Sequence, residues 1–130
     1  MMIPVFVQSL VLSLLRVMAG LLVLQHGTAK VLNFPTSPMN ETALTSMSGI
    51  AGIIELVCGA LVVVGLFTRP AAFLLSGMCA VAYFMVHAPQ NFFPLLNGGE
   101  LTALYAFTFL YLAVAGGGPI ALERIVGRRA

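Results

Sequence analysis

The sequence predicts an all-α membrane protein: an up-and-down bundle of four transmembrane helices with both termini in the cytoplasm. Of its 130 residues, 60% are hydrophobic and 8% are charged, and the mean hydropathy is +1.05. A soluble domain is about 25% charged, so this chain has too few charged side chains to cover a water-exposed surface. Because one membrane span needs about 20 apolar residues, the length allows about four spans. They are expected to form a single domain, residues 1–130.

The first two spans end where polar and turn-forming residues interrupt the apolar runs. The first is expected at about residues 3–26, because the apolar run stops at His26 and a polar loop follows. The second is expected at residues 47–67 and stops before Thr68. Because Thr68 can cap a helix and Pro70 suits a first helical turn, the next span is expected to follow in a tight hairpin.

The third and fourth spans are bounded in the same way. The third is expected at residues 70–88 and stops before Pro89. The fourth is expected at residues 99–116 and ends at three consecutive glycines. A tail at residues 119–130 follows, in which Ile and Val are mixed with Arg and Glu. That pattern fits either a helix lying in the membrane interface or a solvated tail.

Basic residues are concentrated on one side of this predicted membrane protein. With four spans, Arg69, Arg124, Arg128 and Arg129 share the side of both termini, whereas Lys30 lies on the other side. Short loops rich in Lys and Arg stay in the cytoplasm, so both termini are expected there. The basic residues form no face that could follow a nucleic acid backbone. The lipid bilayer is therefore the expected partner.

Two ionisable residues, Arg16 and Glu55, lie deep inside predicted spans. Charged residues within a span are costly and usually find partners inside the bundle. Arg16 lies about 15 Å before the end of span one at His26, and Glu55 lies about 12 Å after the start of span two, from the rise of an α-helix. The similar depths predict an ion pair between Arg16 and Glu55. Such a pair can serve chemistry or only fix the helix register.

Seven polar residues are candidates for a substrate site, because they fall within the spans or near their outer ends. They are Arg16, His26, Lys30, Glu55, His87, Asn97 and Glu100. We expect them to line a polar cavity that opens to the outer face and holds a quinone headgroup or a small polar molecule. Imidazole and carboxylate groups would exchange protons there. Each also has a structural alternative, such as a carboxylate at a helix N-terminus or a snorkelling lysine.

Haem, metal and disulfide chemistry are the less favoured interpretations. His26 and His87 on separate spans could ligate haem iron, but no further ligand motif accompanies them, and no metal site is predicted. Cys58 and Cys79 lie in apolar runs and form no CxxC motif. We therefore interpret them as small buried hydrophobic residues rather than a redox pair.

The order and spacing of these motifs resemble the DoxX family of small four-helix bacterial membrane proteins. The motifs are Arg16, HGTAK at residues 26–30, Glu55, GLFTRPAA at residues 65–72, His87 and NGGE at residues 97–100. The resemblance extends from about Leu14 to Leu122. It implies a multi-pass protein of the bacterial inner membrane.

Some members of that family resemble the membrane subunit of thiosulfate:quinone oxidoreductase, and others are associated with oxidative-stress or thiol-redox complexes. The resemblance therefore implies a redox-associated subunit, in which the seven candidate residues line a site for a quinone or a small sulfur anion. The outer loops contain no cysteine, so a redox partner protein would supply any thiol chemistry. Whether the chain itself is an enzyme is left open.

Two other functions are alternatives to the redox-associated subunit. One is a non-catalytic membrane module for assembly or interaction, and the other is a transporter of small solutes. An assembly module needs no continuous hollow, a transporter needs access from both sides, and a binding subunit needs one closed end. Because four helices bury little surface among themselves, a homo-oligomer is a further candidate partner.

Overall fold

A computed structural model describes residues 1–127, and every regular element in that range is helical. The elements are α1 Val5–Leu32, α2 Met47–Val64, α3 Thr68–Ala82, α4 Pro94–Asn97, α5 Glu100–Ala115 and α6 Leu122–Gly127. A π-helical turn, Tyr83–His87, continues α3. The expected tail is helical over α6, and its arginines at positions 128 and 129 lie outside the described residues.

Within residues 1–127, three helices are long and apolar enough to cross a membrane. They are α1 with 28 residues, α2 with 18, and α3 together with its π-helical turn, with 20. The fourth apolar helix, α5, has 16 residues. The protein is therefore a multi-pass membrane protein built of helices.

Helix α1 is longer than the sequence predicts. It continues past His26 and Gly27 to Leu32, and Asn33 ends it in the left-handed conformation, with φ 55° and ψ 32°. A glycine inside a helix costs about 1 kcal/mol relative to alanine, so the sequence predicts a helix end there. The helix passes through Gly27 because this residue is buried against α2.

Glycines set the antiparallel packing of α1 on α2. A Cβ atom on Gly27 would lie 2.7 Å from the Cα atom of Leu56, and one on Gly59 would lie 3.1 Å from the Cα atom of Leu24. Small residues let two helix backbones approach closely inside a membrane, where hydrophobic burial does not drive association. The glycine positions therefore fix which turns of α1 and α2 lie side by side.

The turn between α2 and α3 is tight, as expected, but its cap differs from the prediction. Gly65 ends α2 with φ 77°, and its N–H donates to the carbonyl oxygen of Leu61. The expected cap by Thr68 is wrong, because Phe67 holds the cap position. The N–H of Thr68 donates instead to a carboxylate oxygen of Glu123 on α6, at 3.1 Å. A residue far along the chain therefore caps α3.

Helix α5 runs antiparallel along α3. The hydroxyl of Ser76 donates to the carbonyl oxygen of Ala106 at 2.6 Å, near the middle of both helices. At the start of α3, Nη1 of Arg69 donates to the carbonyl oxygen of Val114, near the end of α5, at 2.5 Å. The bundle thus consists of an α1–α2 pair and an α3–α5 pair, joined mainly through α2 and α3.

The core lies where the two helix pairs meet. Val62, Leu75 and Phe109 are fully buried, on α2, α3 and α5 respectively. Cys58 and Cys79 belong to the same core, and both are buried free thiols. The interpretation of the cysteines as small buried hydrophobic residues is therefore confirmed.

Candidate functional site

Arg16 is the largest side chain that is fully buried, with 1% of its surface exposed. Its Nη1 donates to the carbonyl oxygens of Val62 at 2.6 Å and Val63 at 2.5 Å, and its Nε donates to the carbonyl oxygen of Gly117 at 2.7 Å. The last carbonyls of a helix have no partner within the helix and carry its negative end charge. Arg16 therefore holds α1, the C-terminus of α2 and the loop after α5 together.

The predicted ion pair between Arg16 and Glu55 is wrong. The depth argument assumed that α1 ends at His26, opposite the start of α2. In the structure, a Cβ atom on Gly27 would lie 2.8 Å from the carbonyl carbon of Glu55, so these two residues share a level. Arg16 lies about three turns earlier in α1, or roughly 16 Å along the helix axis. The error comes from the unpredicted last turns of α1.

Glu55 pairs with Lys30 instead. The Nζ atom of Lys30 lies 2.9 Å from Oε2 and 3.2 Å from Oε1 of Glu55, and the two side chains are 12% and 10% exposed. This is the one ion pair within residues 1–127. Gly52 makes room for it, since a Cβ atom there would lie 2.8 Å from the Cβ atom of Lys30. Two opposite charges held this way neutralise one another in an apolar setting.

His26 lies on α1 one turn before Lys30. Residues four apart on a helix share a face, so the imidazole is on the side of the helix that carries the ion pair. His26 is half-buried, and its ring makes no hydrogen bond within the described residues. It is therefore a neighbour of the Lys30–Glu55 pair and not a member of its hydrogen-bond set.

His87 and Asn97 form a second polar cluster, at the end of α3. Nδ1 of His87 lies 3.0 Å from the carbonyl oxygen of Asn97, and its Nε2 lies 3.3 Å from the hydroxyl of Thr102. Asn97 is buried; its Nδ2 donates to the hydroxyl of Tyr83 at 3.2 Å, and its Oδ1 accepts from the N–H of Gly99 at 2.8 Å. These bonds tie the π-helical turn to the α4–α5 connection.

The seven predicted site residues thus fall in separate places. Lys30 and Glu55 come together between α1 and α2, with His26 beside them, and His87 comes together with Asn97. Arg16 holds the other end of α2. Glu100 is exposed in the first turn of α5, where a carboxylate favours the positive end of the helix.

A large groove lies between α2 and α3, and the sequence did not indicate it. Its volume is about 540 Å³, and its walls are almost wholly apolar, with Ile50 and Ile54 on α2 and Met78 on α3. Of the seven predicted site residues, Lys30 alone lines it. Gly77 also lines the groove, and a Cβ atom there would meet nothing within 4 Å. A glycine within an apolar span does not by itself indicate such a space, because Gly27 and Gly59 lie at close helix contacts.

The chain is similar to a recognised family and to two curated proteins. A family model described as DoxX matches residues 11–88. An uncharacterized protein of Haemophilus influenzae is 44% identical over 117 residues, which cover 86% of this chain and 87% of that protein. A second uncharacterized protein of the same organism is 31% identical over 72 residues, which cover 55% of this chain and 48% of that protein. No solved structure matches the chain.

Proposed function

The chain belongs to the DoxX family, and we propose that it is a membrane subunit that binds a quinone in the groove between α2 and α3. One observation carries this proposal. The groove is apolar over almost its whole wall and has Lys30, ion-paired to Glu55, at one side. Ligand sites in proteins typically combine such apolar walls with a few placed polar groups.

The chemistry of a quinone suits these two parts of the groove. Its ring and isoprenoid tail are apolar and favour the walls formed by α2 and α3. Its carbonyl oxygens accept hydrogen bonds, and the ammonium group of Lys30 is a donor with more than one N–H. Glu55 holds this ammonium group in place. In this proposal Lys30 binds the quinone headgroup, and Glu55 is a positioning residue.

Two of the other predicted site residues, His87 and Asn97, support the groove in this proposal. Met85 and Val86 line the groove and lie in the π-helical turn, which the His87–Asn97 bond ties to the α4–α5 connection. Turns of this kind are frequent at functional sites. A quinone is reduced by two electrons and two protons, and a redox partner protein is the proposed source of the electrons.

We also propose that all four apolar helices cross the bacterial inner membrane, with both termini in the cytoplasm. The contacts of α5 support four crossings. Its end lies beside Arg69, and its start lies beside His87, so it covers the same depth as α3. Arg69 and Arg124 lie at one end of the bundle and Lys30 lies at the other, and the end with more arginines is the cytoplasmic one under the positive-inside rule.

Binding of decyl-ubiquinone to the purified protein tests the proposed quinone site. Gly77→Leu fills the groove, and Ala60→Leu is its matched control, because Ala60 is exposed on α2 and does not line the groove. We expect Gly77→Leu to weaken binding by about tenfold or more, on the scale of about 1.4 kcal/mol per factor of ten. Ala60→Leu should bind as the unmodified chain does.

Equal binding by Gly77→Leu and Ala60→Leu, or no binding by the unmodified chain, would contradict the quinone proposal. The same two purified variants distinguish a quinone site from the alternative function of a membrane assembly module. If a second copy or a partner helix covers the groove, Gly77→Leu changes the oligomeric state measured by size-exclusion chromatography with light scattering. A quinone site predicts that the oligomeric state stays the same in both variants.

A further inference from the structure

A second cavity lies at the end of the bundle opposite Lys30. Its volume is about 280 Å³, and its wall is mostly polar. It is lined by Ser9 and Leu12 on α1, Arg69 on α3, the last residue of α5 and the loop at residues 116–119, and Glu123 and Arg124 on α6. We call this cavity the arginine pocket. The proposed quinone site uses none of these residues.

The guanidinium of Arg69 is held over the glycine loop. Its Nη1 donates to the carbonyl oxygen of Val114, which is its one hydrogen bond within residues 1–127. Gly116 has φ +84°, and a Cβ atom there would lie 3.3 Å from Nη2 and 3.4 Å from Nε of Arg69. A side chain at this position would crowd the guanidinium. The glycine therefore lets the charge lie directly against the loop backbone.

Buried donors beside the arginine pocket lack acceptors. Gly117 and Gly118 are buried, and neither N–H donates to an acceptor within the part of the chain that the structure describes. The hydroxyl of Thr68 is also buried and unpartnered there. It lies 3.0 Å from the position of a Cβ atom on Gly117. Thr68 does not line the arginine pocket, whereas Gly117 and Gly118 do, so the N–H groups of these two glycines are available to an acceptor inside it.

The charges around the arginine pocket favour an anion. Within residues 1–127, neither Arg69 nor Arg124 forms an ion pair. Glu123 contributes the one carboxylate on the wall, and it is engaged by the N–H of Thr68. Two guanidinium groups against one carboxylate leave a net positive wall. Guanidinium groups match the oxygens of a phosphate group in geometry and charge.

We propose that the arginine pocket binds a phosphate group, with Arg69 and Arg124 as charged donors and the N–H groups of Gly117 and Gly118 as neutral donors. The volume suits this ligand, since one water molecule occupies about 30 Å³ in the liquid. Basic pockets between transmembrane helices bind phospholipid headgroups in this way. The phosphate group has two sources, an anionic phospholipid and free inorganic phosphate.

Native mass spectrometry of the full chain in detergent tests this site with two lipids, phosphatidylglycerol and phosphatidylcholine. Equilibrium dialysis with radiolabelled inorganic phosphate forms the second arm. We expect one phosphate-bearing ligand per chain. Retention of phosphatidylglycerol over phosphatidylcholine identifies the lipid as the source, and saturable binding of inorganic phosphate identifies the free ion.

Two variants lower the positive charge of the arginine pocket. Arg124→Gln retains the fold, since the exposed Arg124 side chain makes no hydrogen bond within residues 1–127. The double variant Arg69→Gln with Arg124→Gln removes both cations. We expect the single variant to weaken ligand binding severalfold and the double variant to weaken it by about tenfold or more, from the strength of charge-assisted hydrogen bonds.

Two matched variants each remove one negative charge, one inside the arginine pocket and one far from it. Glu123→Gln lies in the arginine pocket and keeps an amide oxygen for the N–H of Thr68, so it should tighten phosphate binding. Glu41→Gln lies in the exposed loop between α1 and α2 and should leave binding unchanged. Equal effects of these two variants, or binding that survives the loss of both arginines, would overturn the proposal. Absence of binding by every probe would overturn it as well.

Discussion

Nη1 of Arg16 on α1 donates to the carbonyl oxygen of Val62, one of the last residues of α2, at 2.6 Å. A buried arginine is thus paired with the negative end of a helix and not with a carboxylate. This contact fixes the level at which α1 meets the end of α2. It leaves Glu55, in the middle of α2, to pair with Lys30.

Arg16→Gln should lower the free energy of unfolding by about 3 kcal/mol or more, because Arg16 donates to three carbonyls and hydrogen bonds from a charged donor contribute about 1.5–3 kcal/mol each. Unfolding in mixed micelles, followed by circular dichroism, measures this change. Arg124→Gln removes the same charge from an exposed residue and should change stability little. Equal stability of the two variants would show that the contacts of Arg16 are dispensable.

Lys30 and Glu55 should show coupled effects on stability. Lys30→Met or Glu55→Leu alone leaves one charge buried without its partner, which costs about 3–5 kcal/mol. The double variant removes both charges and should recover most of this loss. A double-mutant cycle from the same unfolding measurements is expected to give a coupling energy of about 3 kcal/mol or more, because the double variant should lose less stability than either single variant. Additive losses would mean that the pair contributes no specific interaction.

Gly27→Val should force α1 away from α2. The new Cβ atom would lie 2.7 Å from the Cα atom of Leu56. A backbone atom, unlike the end of a flexible side chain, cannot move away by a change of rotamer. Overpacking of this kind costs about 1–3 kcal/mol, and occasionally more. Gly77→Ala is the control, since a Cβ atom there meets nothing within 4 Å, and alanine favours a helix by about 0.5–1 kcal/mol. The free energy of unfolding should fall in Gly27→Val and not in Gly77→Ala. A change in the same direction for both variants would argue against close helix approach at Gly27.

Asn97→Ala should loosen the connection between α3 and α5. It leaves the N–H of Gly99 and the hydroxyl of Tyr83 without their partner, at a cost of about 1–3 kcal/mol for a buried unsatisfied group. Hydrogen exchange measured by mass spectrometry should show faster exchange at residues 88–99, while α1 and α2 keep their protection. Unchanged exchange in this segment would show that other contacts hold it.

Thiol labelling should place the two ends of the bundle on opposite sides of the membrane. Glu41→Cys lies in the loop between α1 and α2, and Arg124→Cys lies in α6. With both termini in the cytoplasm, an impermeant maleimide should label position 41 in intact spheroplasts and position 124 only after permeabilisation. The native cysteines are buried and give a low background. Labelling of both positions in intact cells would contradict the proposed topology.

The class of the fold could be predicted, but the composition of the site could not. Low charge and four apolar segments predicted a helical membrane protein, and the helices confirm that class, while the number of crossings stays a prediction. The predicted ion pair between Arg16 and Glu55 is wrong, because the sequence predicts the end of α1 at His26 and the helix continues to Leu32. The sequence did not predict the groove beside Gly77, because apolar residues that line a cavity cannot be distinguished in the sequence from those that face lipid.

The sequence by itself determined that the chain is a helical membrane protein, where its long apolar segments lie, and that Cys58 and Cys79 are buried. These properties depend on residues close together in the chain. Only the tertiary structure decided which residues meet, including the Lys30–Glu55 pair, the contacts of Arg16 and the arginine pocket. The register of α1 on α2 depends on where glycines allow two backbones to touch, and that close approach involves residues far apart in the chain.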